Sequence, residues 1–84
     1  MSRMQELVKK INKMKSIEKA AYYAGKLTVV FTDGISPGQI LDDVFIEIVD
    51  FGGNLSKFIG RYEAPKKGYG DGIWRIAFEI EGIF

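Results

Sequence analysis

The feature that most constrains this chain is a change of hydrophobic period near Lys26. Before it, Met4, Leu7, Val8, Ile11 and Met14 recur at intervals of three and four, which lines them up on one stripe of an α-helix. After it, apolar residues recur at every second position, the pattern of strands with one covered face. A chain of 84 residues has room for a single core, so both patterns have to share it. The sequence therefore predicts one α+β domain, an N-terminal amphipathic helix packed on a four-stranded antiparallel sheet.

In the helical head, residues 1–25, the stripe fails near Ser16. Continued at about 100° per residue it would run into Lys15 and Glu18, while Ile17, Ala20, Ala21 and Ala24 would point elsewhere. Serine is a good N-cap and glycine a good C-terminal stop. The expectation is a break at Ser16 and a second short helix over residues 17–24, closed by Gly25.

In the body, residues 26–84, alternation marks four strands. Leu27, Val29 and Phe31 share one face of the first, which Asp33-Gly34 ends. Val44, Ile46 and Ile48 share a face of the second, after a segment containing Pro37 and Gly38 that reads as a loop or a loop with one helical turn. Gly52-Gly53-Asn54 fits a tight reversal into a third strand that carries Phe58 and Tyr62. Trp74, Ile76, Phe78 and Ile80 alternate in the fourth, the cleanest of the set, which should be central or well covered on one face. Short connections imply a meander, each strand pairing with the next.

Composition excludes most catalytic chemistry. There is no cysteine, hence no disulfide, thiolate metal site or cysteine nucleophile, and the expected location is cytoplasmic. There is no histidine either, the side chain used most often as a general base near neutral pH. No enzymatic activity, catalytic residue, metal or cofactor is expected. Residues 1–15 are interrupted by charge every few positions and form neither a signal peptide nor a membrane span.

Charge is distributed unevenly along the chain. Residues 1–26 hold seven basic side chains against two acidic ones, and residues 27–84 hold five against nine, for a formal total of +1. Such asymmetry points to a polyanion for the head, an acidic partner, or attraction between the two halves. Lys9, Lys10 and Lys13 lie on the polar side of the helix. Lys66, Lys67 and Tyr69 sit in the glycine-rich stretch "APKKGYGDGIWR", where a strand follows, not the helix that a phosphate loop requires. These six residues make direct nucleic-acid binding the alternative function.

The leading expectation is a non-enzymatic binding protein whose partner is a protein, a second copy of the chain included. Asp42, Asp43, Glu47 and Asp50 interleave with Phe45, Val49 and Phe51, which a strand would turn outward, opposite Val44, Ile46 and Ile48. The partner-binding set is thus Asp42, Asp43, Phe45, Glu47, Val49 and Phe51. Acidic groups beside aromatics can occupy a nucleic-acid-binding groove by imitating phosphate charge. In size, composition and lack of catalytic residues the chain is similar to the small proteins with which phages and other mobile elements inhibit host nucleic-acid enzymes or defence systems. That similarity implies an inhibitor.

Overall fold

The first helix forms where the stripe predicts it. The computed structural model describes residues 2–68 and 70–83, the side chain of Lys67 excepted. Helix α1 (Arg3–Asn12) starts at a capping box: the Gln5 amide donates to Ser2 Oγ at 3.1 Å, and the Ser2 amide donates to Gln5 Oε1 at 2.9 Å. Met4, Leu7 and Ile11 are buried. The helix stops at Asn12, ahead of the break expected at Ser16.

The second short helix does not exist. Residues 17–24 contain β1 (Lys19–Tyr23), which turns through Ala24 and Gly25 into β2 (Lys26–Thr32). Both turn residues have positive φ, 53° and 79°, the two-residue hairpin geometry that matches strand twist. Gly25 is thus a hairpin glycine, not a helix stop. Alanine favours helices, but pairing overrides that preference here, and the Asn12 side chain assists. Its Nδ2 donates to the Ala20 carbonyl and its Oδ1 accepts from the Ala20 amide, both at 2.8 Å. One amide group thereby occupies the open edge of β1 as a neighbouring strand would.

The larger correction concerns residues 37–50, expected as a loop followed by a strand. They form one helix, α2 (Pro37–Asp50), with Ser36 at the N-cap and Pro37 in the first turn. Ile40, Val44 and Ile48, four apart, are its buried face. Gly52, at φ 84°, ends it: the Gly53 amide donates to the Ile48 carbonyl and the Gly52 amide to that of Val49, each at 2.9 Å. This pair of bonds is a Schellman cap, so Gly52-Gly53 closes a helix instead of turning a hairpin.

After α2 come β3 (Asn54–Glu63), with an irregularity between Leu55 and Lys57, a single 3-10 turn (Lys66–Gly68) and β4 (Ile73–Glu81). The sheet has four strands in the order β1-β2-β4-β3, every neighbouring pair antiparallel. This is not the expected meander. β2 and β3 run parallel with β4 between them, because α2 supplies a crossover long enough to carry the chain past one strand. β4 is central, as its pattern implied.

Both helices pack on the face that carries Leu27, Val29, Phe31, Ile76 and Phe78. Among the described residues nine side chains are fully buried there, Phe31, Phe78, Leu7 and Ile11 among them, each stabilising the fold by roughly 1.5–3 kcal/mol relative to exposure. Trp74 closes one end of this core, stacked on Phe31 with ring centroids 6.4 Å apart and tilted against Tyr62 at 5.1 Å. On edge strand β3, Leu55 packs against the core, whereas Phe58 and Tyr62 stay about half exposed although they face the core side. Among the described residues no helix is long and apolar enough to cross a membrane.

Candidate functional site

Helix α2 has a buried face and an unusually apolar exposed one. Its helical period turns Ile40, Val44 and Ile48 into the core and Asp42, Phe45, Ile46, Val49 and Asp50 outward. Phe45, Ile46 and Val49 are 46 %, 55 % and 49 % exposed. Three large apolar side chains on one helix face, bordered at the two ends by Asp42 and Asp50, form a contiguous patch rather than scattered single residues.

The expected partner-binding set divides on this geometry. Asp42, Phe45 and Val49 are on the open face, and Asp43 flanks it half-buried. Glu47 and Phe51 instead belong to the seam with α1. Glu47 Oε2 lies 3.0 Å from the Lys10 ammonium, an ion pair whose angles do not make a hydrogen bond, and its side chain is only 14 % exposed. Arg3 donates from Nη2 to the Phe51 carbonyl at 2.8 Å, and the Arg3 and Lys10 cations stand 5.5 Å and 5.9 Å from the Phe51 ring centroid. Ile46, expected in the core beside Val44 and Ile48, is the most exposed apolar residue of the patch. Counting in fours from Ile40 would have found it; counting in twos from Val44 hid it.

The lysines proposed for nucleic acid are dispersed. Lys9 is exposed on α1, which packs on β1, and Lys13 is exposed at its C-cap, whereas Lys10 is held by Glu47. Lys66 borders a cleft with Glu63, Asp71 and Arg75 at the β3–β4 connection, toward the opposite edge of the sheet. The Lys67 side chain and Tyr69 lie outside the described residues. Among the described residues, Lys9 and Lys13 therefore do not share one surface with Lys66.

Two polar contacts fix the outer part of β3, one to the end of β2 and one to β4. The Tyr62 hydroxyl donates to Asp33 Oδ2 at 2.6 Å, and that bond to an anionic acceptor raises the phenol above its ordinary pKa. A Cβ on Gly72 would overlap the Tyr62 ring, so glycine is required for this approach. Arg75 Nη1 donates to Glu63 Oε2 at 2.7 Å and holds the Glu63 carboxyl below the usual range. Among the described residues no three carboxylates converge as a metal site. Compared with protein-family models, curated proteins and solved structures, the chain matches none of them.

Proposed function

We propose that this chain is a non-enzymatic binding protein that docks α2 into an apolar groove, edged by lysine or arginine, on a partner protein. The observation that carries the reading is the joint exposure of Phe45, Ile46 and Val49 on a helix whose other side is sealed in the core. An amphipathic helix with anchors at positions i, i+1 and i+4 suits recognition in a groove. Covering the remaining half of each side chain contributes on the order of 1 kcal/mol apiece, enough to act as the anchor of an interface. Asp42 and Asp50 at its ends favour a basic rim and would speed encounter with one. A nucleic-acid-handling protein of the cytoplasm is the class of partner whose surface fits, and occupation of that surface makes the chain an inhibitor of the kind mobile elements encode.

The test is affinity capture followed by titration of the purified partner, using the wild type, a Phe45→Ser/Ile46→Lys variant and an Arg61→Gln control. The reading expects the α2 variant to lose at least about tenfold in affinity, or about 1.4 kcal/mol, while Arg61→Gln binds normally. Equal binding by all three chains would refute it. A concentration-dependent dimer, abolished in the α2 variant, would assign the patch to a second copy instead.

A further inference from the structure

Opposite the helices the sheet presents its second face to solvent, and strand pairing orders the outward side chains there into rows. Ala21, Thr28, Ala77 and Ile59 form a row across all four strands. On one side of it runs Lys19, Val30, Arg75 and Arg61; on the other, Tyr23, Lys26, Glu79 and Lys57. These twelve residues carry five cations and one carboxylate. The low row is thus flanked by two basic ones, and an open cleft of about 260 Å³ lies along it, lined by Lys26, Arg61 and Arg75 over Thr28, Ala77 and Ile59.

The arrangement is costly without an anion. Arg61 and Arg75 are direct partners on β3 and β4, and like charges facing across strands destabilise a sheet. Glu63 relieves only Arg75; among the described residues Arg61 has no carboxylate partner. The basic rows are four residues apart, about 13 Å, and cross four strands, about 14 Å.

We propose that this open face binds single-stranded nucleic acid, its phosphates drawn to Lys19, Arg61 and Arg75 and its bases laid over the low row. Charge complementarity selects a polyanion. The apolar floor of Ala21, Ala77 and Ile59 selects unpaired bases, whose faces are free to lie on it, over a duplex, whose bases are stacked inside. Lys26 and Lys57 form the far bank, and Tyr23, 78 % exposed, offers the one aromatic of the face among the described residues, at its β1 end. With a single aromatic, recognition is led by the backbone and tolerates sequence. The inference is independent of the α2 reading and uses none of its residues.

The test is fluorescence anisotropy of a labelled pyrimidine oligonucleotide of about twelve nucleotides, titrated from low salt upward. Three to five neutralised phosphates give a slope of log K against log salt of about −2 to −3.5. A Lys57→Gln/Arg61→Gln variant, both positions being exposed on β3, should lose about tenfold or more at low salt and flatten the slope by about 1.4. A Lys9→Gln/Lys13→Gln variant on α1 should bind as the wild type does, with circular dichroism showing both variants folded. Absence of wild-type binding at low salt overturns the proposal, as does a loss in the α1 variant equal to that in the sheet variant. Binding of a duplex, or competition by polyglutamate, as strong as that of the single strand would also overturn it.

Discussion

Replacing Ile46 by lysine separates the helical arrangement of residues 37–50 from a strand more sharply than any other change. On a strand, Ile46 and Ile48 share one face and would be equally intolerant. On α2 they point in different directions: Ile48 is fully buried and Ile46 is 55 % exposed. A buried isoleucine truncated to alanine costs about 2–5 kcal/mol, through lost transfer energy and the cavity left behind. Full burial of such a side chain is worth about 1.5–3 kcal/mol, so the covered part of Ile46 contributes about 1 kcal/mol. Lysine recovers some of this through its aliphatic stem and its better helix propensity. Ile46→Lys should therefore change stability by less than about 1 kcal/mol, and Ile48→Ala should lower it by about 3 kcal/mol. For a domain of this size 1 kcal/mol moves Tm by about 4–8 °C, so the two variants should melt at least about 8 °C apart. Thermal and urea unfolding followed by far-ultraviolet circular dichroism measures both. Equal destabilisation by the two substitutions would refute the helix, and with it the docking face.

Three further outcomes are expected. Ala24 holds a left-handed φ of 53° that asparagine tolerates better, so Ala24→Asn should stabilise the hairpin by about 1 kcal/mol, read as a raised urea midpoint. Asn12→Ala removes the two bonds that occupy the β1 edge at Ala20 and should cost about 1–2 kcal/mol, with faster amide exchange at Ala20 than in the wild type. The Tyr62 phenol has a folded-state pKa raised above its unfolded value near 10. Its contribution is thus complete below that pH and is lost as pH rises through the raised value. The stability gap between wild type and Tyr62→Phe should be constant from pH 7 to about 9 and close above about 10, whereas a gap independent of pH would refute the Asp33 contact.

How legible each element was depended on whether its pattern admitted one period or two. The α1 stripe fits only a helix, and Trp74-Ile76-Phe78-Ile80 fits only a strand; both elements are found, although α1 stops at Asn12, short of Met14. Residues 40–51 fit both, since Val44, Ile46 and Ile48 alternate while Ile40, Val44 and Ile48 recur in fours. The residues that decide are at the ends, Ser36-Pro37 as a start and Gly52 as a stop, and each of them also fits a turn. For residues 19–23 no local signal sufficed. Two alanines and two tyrosines become a strand because β2 and the Asn12 amide supply partners, contacts that no window of sequence contains. The exposed apolar patch was located correctly in the chain but assigned partly to the wrong side chains, because a change of period rotates every residue about the element's axis.

Charge was the least legible property, because it was summed along the chain and functions across the fold. Among the described residues, attraction between the basic head and the acidic body is realised in one ion pair, Lys10 with Glu47. Cations from both parts also gather on one face of the sheet. Lys19 and Lys26 from the head join Lys57, Arg61 and Arg75 from the nominally acidic body on the bare face, while Asp42, Asp43 and Asp50 stand on α2 across the core. Both surfaces can then be occupied at once, since no side chain belongs to both. The consequence is a double dissociation: the Phe45→Ser/Ile46→Lys chain should bind the oligonucleotide undiminished, and the Lys57→Gln/Arg61→Gln chain should retain the protein partner. If instead saturating oligonucleotide released the partner, the two ligands would have to share a surface, and the assignment of one to α2 and the other to the bare face of the sheet would fail.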